Sequence, residues 1–328
     1  MVALNPVLAA VLRNTLGRRR GVTGCLFTFH RAARPEDWAS LPDRDFYVDI
    51  GFLDRLLAYL ARHGWSVVTI EEAIRRSAAG DPSKFVNFSI DDCYRDTFEL
   101  VVPLFRKHGV PVTLFVTTGI PDGTHVMWQA GLEQTVRERD TVVLDGKIVD
   151  VASPARKRAV YNAKARAWEG REPLEYAAFC AANAVDTGAV YANHAMTWEM
   201  IEAVVDDPHV EIGSHTVHHP HVASLSEEAA FCELERSRLR LEERLDIEVH
   251  HFAFPYGRAG DCGPRDFALA GKAGYRSAST TRKGLLTAGA DPLHLPRNTL
   301  NGRHQQMHHA ELHLTGISGL AARVLNRV

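Results

Sequence analysis

Between Gly24 and Gly119 extended runs and amphipathic helices take turns, and this alternation limits the fold more than any other feature of the chain. CLFTFH, WSVVTI, KFVNFSI and PVTLFVTTG read as strands, rich in β-branched and aromatic residues. Within Ile50 to His63, Phe52, Leu53, Leu56, Leu57 and Leu60 recur at helical intervals, and Gly64 supplies a stop. EEAIRRSAAG and TFELVVPLFRKHG give two more helices. Strands joined through helices run parallel, so a barrel or an open doubly wound sheet is expected. The rhythm breaks from about Ile120 to Ala195, a mixed, Ala- and charge-rich stretch with one helix across ARKRAVYNAKARAWEG. We read it as a helical insertion over the strand ends. Alternation resumes with TWEMIEAVVDD, HVEIGSH, SEEAAFCELERSRLRLEERL, VHHFAFPYG, a helix around FALAGKAG, YRSAST and a final LHLPRNTL. One elaborated α/β domain accommodates all 328 residues.

FSIDDCYRD, residues 88 to 96, sets Asp91 and Asp92 side by side after the apolar run Phe85-Val86-Asn87. A buried strand cannot hold unpaired charges, so the pair is expected just past its carboxyl end, in a crevice. EIGSHTVHHPH, residues 211 to 221, also follows a short apolar strand. His215 and His219 are four apart, which would put them on one side of a helical turn and suit two imidazoles on one metal ion. His218, and more weakly His221, are alternatives. Two histidines and one carboxylate make the protein half of a catalytic zinc site. Asp92 is then expected to be neutralised by a divalent metal, while Asp91 stays unligated to act as a base toward water.

Taken together, DDCYRD, SHTVHHP and FAFPYG resemble the successive signatures of the polysaccharide deacetylase family, the NodB-type enzymes of carbohydrate esterase family four. The likeness runs from FHR near residue 30 to LPRN near residue 297. It implies a distorted (β/α) barrel of about seven parallel strands and metal-dependent removal of N-acetyl groups from amino sugars. Carried over by position, Asp91 would be the general base. Asp92, His215 and His219 would hold the metal, Zn²⁺ first, with Co²⁺, Ni²⁺ or Mn²⁺ as alternatives. Thr216 would pin the loop by a hydrogen bond, and the backbone N–H of Tyr256 would help to hold the oxyanion. The family's commoner third motif has an Arg where this chain has Ala253. In the FAFPYG-type branch Arg297 of LPRN is expected to orient the base instead. Cys93 fills a position that is often Gly. No Leu-x-His pattern stands out, which leaves His294 in PLHLPR and His30 in FHR as candidates for the acid that protonates the departing amine.

The implied substrate is an N-acetylated glycan or its lipid-linked precursor, in exopolysaccharide modification. Alternatives are a metal-dependent O-acetyl esterase, a deformylase acting on a glycolipid, and a non-catalytic glycan-binding module; the isolated acid beside the ligand set argues against the last. No G-x-S-x-G elbow marks a serine hydrolase. A net charge of −2 gives no electrostatic case for nucleic acid. Five scattered cysteines without CxxC spacing read as free thiols. In MVALNPVLAAVLRNTLGRRR the arginines follow the apolar part, the reverse of a secretory signal, so a cytoplasmic protein is expected. The chain divides into an amphipathic basic segment at 1–20, a catalytic domain at 21–304 and a C-terminal helix at 305–328. Both ends mix Leu, Val and Ala with Arg, a pattern compatible with peripheral contact on an anionic inner membrane surface.

Overall fold

The computed structural model describes residues 22–168 and 171–324. Seven strands form its centre: β1 (Val22–Phe29), β2 (Phe85–Asp92), β3 (Val112–Val116), β4 (Val210–Ser214), β5 (His251–Ala253), β6 (Ser277–Ser279) and β7 (Asn298–Thr299). They pair in parallel in the order β6-β5-β4-β3-β2-β1-β7. Leu295, just ahead of β7, bridges Ser279 of β6 in parallel. The short segment from Leu295 to Thr299 therefore joins both edges and closes a distorted barrel. Ser66–Val67 adds a parallel pairing at the start of β2, and Leu286–Thr287 an antiparallel one on β1. WSVVTI yields only those two strand residues, because the Thr69 hydroxyl already caps the helix Ile70–Ala78 by accepting from Glu72 N–H.

The period of two along each strand sorts the core into layers. Cys25, Phe27 and Phe29 of β1 and Val86, Phe88 and Ile90 of β2 face the surrounding helices, meeting Phe52, Leu56, Leu60 and Phe105. Leu26, Phe85, Phe115, Ala253 and Leu295 gather in a separate cluster. Each fully buried Leu or Phe contributes roughly 1.5–3 kcal/mol of transfer free energy, so the leucines and Phe52 of Ile50–Arg62 hold that helix in place.

The stretch between β3 and β4 carries helices Trp128–Glu138, Pro154–Trp168, Glu172–Asn183 and Thr187–His194 around a core of Leu132, Val136, Tyr161, Trp168, Tyr176 and Phe179. It also contains a hairpin, Thr141–Leu144 with Lys147–Asp150, where only helix was expected. Its turn is Asp145-Gly146, both at positive φ, and Asp-Gly between two alternating runs is the signal that reveals it.

The single C-terminal helix expected at 305–328 is two, Met307–Leu314 and Ile317–Val324. They break at Gly316, whose φ of 75° lies outside the helical region. Ala310, Leu314 and Ile317 are buried, the first two within the main core, so this end spends apolar residues on the barrel. The basic segment at 1–20 lies outside the described residues. No described helix is long and apolar enough to cross a membrane. All five cysteines are free.

Candidate active site

Asp91 and Asp92 are the last two residues of β2, not residues beyond it, and both are buried. A regular strand would send neighbouring side chains to opposite faces. Asn87, Ser89 and Asp91 follow one face, and Asp91 reaches Arg297 there: Nη1 donates to Oδ1 at 2.7 Å and Nη2 to Oδ2 at 2.8 Å. Burial opposes ionisation of Asp91, but the guanidinium outweighs it and holds the carboxyl below the usual range. Asp92 escapes the opposite face because its φ is 78°, followed by 89° at Cys93. This break ends the pleat and turns the second acid toward the histidines. Eight non-glycine residues have positive φ among the described residues, and Asp92, Cys93, Thr216, His219 and Tyr256 are five of them. Backbone strain is concentrated where the site is built.

His215 and His219 do converge, but not on a helical turn. Residues 215–220 form an irregular loop, and left-handed Thr216 and His219 fold it back. The Thr216 hydroxyl accepts from His219 N–H at 3.0 Å and donates to the carbonyl of His215. His215 Nδ1 donates to the Ala253 carbonyl at 2.7 Å, which leaves Nε2 as a bare lone pair. That lone pair faces Asp92 Oδ1 at 3.5 Å, and His219 Nε2 lies 3.2 Å from the same oxygen. Asp92 Oδ1 is buried with no aligned donor. The His215 lone pair and the Asp92 carboxylate are acceptors turned on one another, and a cation between them and His219 relieves the repulsion; Asp92, His215 and His219 thus fit a divalent metal. Their ligand atoms all lie within 4.8 Å of one another, and no other group of His, Cys, Asp and Glu converges this way among the described residues. Burial holds His215 down to about 4. Burial pulls His219 the same way, but the Asp92 carboxylate overrides it and raises His219.

Residues 171–278 match the family profile described as polysaccharide deacetylase. That stretch, about a third of the chain, is similar to the polysaccharide deacetylases. The chain's fold is shared with a Streptococcus pyogenes deacetylase, PplD, solved in complex with acetate: 18% identity, a TM-score of 0.58, and coverage of 87% of this chain and 95% of that one. IcaB from Ammonifex degensii is similar at 18% identity and a TM-score of 0.58, over 90% and 98% of the two chains. A de-N-acetylase from Aggregatibacter actinomycetemcomitans gives 14% identity and a TM-score of 0.56, over 85% and 95%. No curated protein matches the chain.

The remaining expected residues divide by position. His30 is half-buried, stacks on Phe46 at 4.7 Å, and lies close enough to Asp91 and Asp92 for its charge to favour their ionised forms. His294 stacks on Phe267 at 4.6 Å and accepts from Arg282 Nη1 at 2.9 Å, contacts that lie outside the acid pair. Tyr256 sits at φ 58°, its ring stacked on His221 at 3.7 Å and 4.8 Å from His219. The alternative histidines are engaged elsewhere, His221 with Asp261 and His218 with Glu233.

Two residues escaped the sequence reading. His125 stands 6.4 Å from His219, pulled down to about 4 by burial and then by His219. It follows PVTLFVTTG closely, and a histidine at a strand's carboxyl end is the signal that could have found it. Arg31, next to His30, is buried between the rings of Tyr47 and Tyr94 at 4.6 and 4.5 Å. It pairs with Asp96 at 2.8 Å and bonds His194 at 3.1 Å, tying the acid loop to the insertion.

Proposed function

We propose that the protein removes N-acetyl groups from the amino sugars of a polysaccharide or its lipid-linked precursor, as a step in exopolysaccharide modification. The observation that carries this reading is the meeting of two devices at one barrel mouth. One is the acceptor cluster of Asp92, His215 and His219; the other is the unligated Asp91 beside it, kept ionised by Arg297. A divalent metal held by the cluster, Zn²⁺ first, supplies a polarised acetyl carbonyl and a water of lowered pKa.

The chain's own groups do the rest. Asp91, held ionised by Arg297, takes a proton from the attacking water. The backbone N–H of left-handed Tyr256 donates to the oxyanion as the carbonyl carbon becomes tetrahedral. His30, near the acid pair, gives a proton to the departing nitrogen. The products are acetate and a free amino sugar that gains a positive charge.

The test is acetate release from N-acetylated oligosaccharides, soluble and lipid-linked, followed by mass spectrometry with and without chelator. O-acetylated and N-formylated glycans run as parallel arms. Release from the N-acetyl substrates that stops with chelator and returns with Zn²⁺ supports the reading. Release from an ester or formyl arm alone, or turnover indifferent to chelator, overturns it.

A further inference from the structure

The loop that carries His215 and His219 has no regular structure of its own and passes through two left-handed, non-glycine residues. A β-branched residue such as Thr216 is strained in that conformation, so something outside the loop must hold it. The Thr216 hydroxyl fixes its inner side. Its outer side is fixed from the helix Glu227–Leu245, where a single carboxylate takes three donors. Glu233 Oε2 accepts from Val217 N–H at 3.0 Å and from His218 N–H at 2.9 Å. Glu233 Oε1 takes His218 Nδ1 at 2.7 Å.

Two consecutive amides on one oxygen set the orientation of the peptide between Val217 and His218. That peptide lies midway between the two histidines of the cluster. Glu233 is only 17% exposed at its side chain, and its one ion-pair partner among the described residues is His218. Its charge is thus committed to the loop rather than to a surface arginine. Charge-assisted bonds to backbone N–H groups are about twice as strong as neutral ones, enough to favour one loop geometry over its relaxed alternatives.

We propose that Glu233 is a positioning residue for the metal ligands: it holds the loop in the shape that brings His215 and His219 to Asp92 before any metal arrives. The proposal rests on reading those three as the metal site. Nothing in the sequence singles Glu233 out, since its helix also carries Glu227, Glu228, Glu235, Glu242 and Glu243. Only the packing of helix on loop selects one glutamate from six.

The test uses the full chain, stripped with chelator and titrated with Zn²⁺ against a chromophoric competitor, and with Co²⁺ by its visible absorption. Wild type is compared with Glu233→Ala and Glu233→Gln, and the thermal midpoint of each metal-free protein is recorded. Loss of Zn²⁺ affinity by about 10–100-fold in Glu233→Ala is expected, the usual effect of removing a group that orients ligands. The amide oxygen of Gln still accepts from both N–H groups, so Glu233→Gln should recover part of that loss and keep a Co²⁺ spectrum close to wild type. Should the Ala variant fail to fold, the Gln variant decides: an affinity between wild type and an unsupported site upholds the role, and wild-type affinity overturns it. A thermal midpoint lowered with Zn²⁺ affinity unchanged also overturns it, by making Glu233 a stability residue only. Failure of wild type itself to bind one Zn²⁺ refutes the underlying metal site, an outcome distinct from the others.

Discussion

Arg297 and Asp91, 206 residues apart in sequence, form a two-pronged ion pair that is closed to solvent on both sides. All three guanidinium nitrogens are engaged: Nε bonds the Thr280 carbonyl, and Nη1 also reaches Thr28 and Ser89. The Phe115 ring lies 5.2 Å from its centre. Strands β1 and β2 and the turn after β6 thus converge on one cation. Ala253, where the family's commoner motif has Arg, contributes its carbonyl to His215 instead.

Breaking this pair from one side should be severe. Arg297→Met would leave a buried carboxylate unpaired, and a loss of about 3–5 kcal/mol in unfolding free energy is expected. Adding Asp91→Asn to Arg297→Met should restore part of it, because no charge is then stranded. Urea unfolding of the three proteins checks this, and a double variant no more stable than Arg297→Met would contradict it.

Asp91→Asn alone probes the base. Turnover should fall by a factor on the order of 10²–10⁴ while Zn²⁺ stays bound, since Asp91 is not among the proposed ligands. Metal analysis alongside acetate release separates the two roles; a variant that loses its Zn²⁺ would make Asp91 a ligand.

The candidate acids are distinguished by their surroundings. His30→Ala should cost about 10²-fold or more in turnover, whereas His294→Ala should stay within about fivefold of wild type, being bonded to Arg282 and stacked on Phe267. The reverse ranking would make His294 the proton donor.

His194 predicts a pH dependence of stability. Its Nδ1 accepts from Arg31 and its Nε2 donates to Gln134 Oε1, the bonding of a neutral ring. Burial, then the charge of Arg31, holds it down to about 3. A histidine with a depressed folded pKa contributes fully above its unfolded value of about 6.5 and loses that contribution as pH falls toward the folded value. Stability should therefore drop by up to about 1.4 kcal/mol per pH unit below about 6 from this group. His194→Gln keeps an acceptor for Arg31 without a titrating ring, and urea midpoints at pH 7 and pH 5 should lie closer together in it than in wild type. An unchanged difference would assign the acid sensitivity elsewhere.

Much of this protein is written locally. The 3.6 and 2 periods of the apolar residues determined the helix Ile50–Arg62 and the strands Phe85–Asp92 and Val112–Val116, because a face to be buried is specified within a window of ten residues, and the alternation of strand with helix gave their parallel direction. Residue types and spacing also picked out the acid pair and the histidine loop as the candidate site. Tertiary structure decided what spacing cannot carry. Four residues between His215 and His219 look helical, yet Thr216 and His219 take left-handed conformations that only the surrounding bonds make tolerable. Asp91 and Asp92 are adjacent, yet a backbone break at Asp92 gives one to Arg297 and the other to the histidines. Leu295 to Thr299 close the barrel, and Glu233 stands out from its neighbours, through contacts whose partners lie far along the chain. A sequence pattern records which faces must be hidden from water; which distant group fills a given gap is settled only when the faces meet.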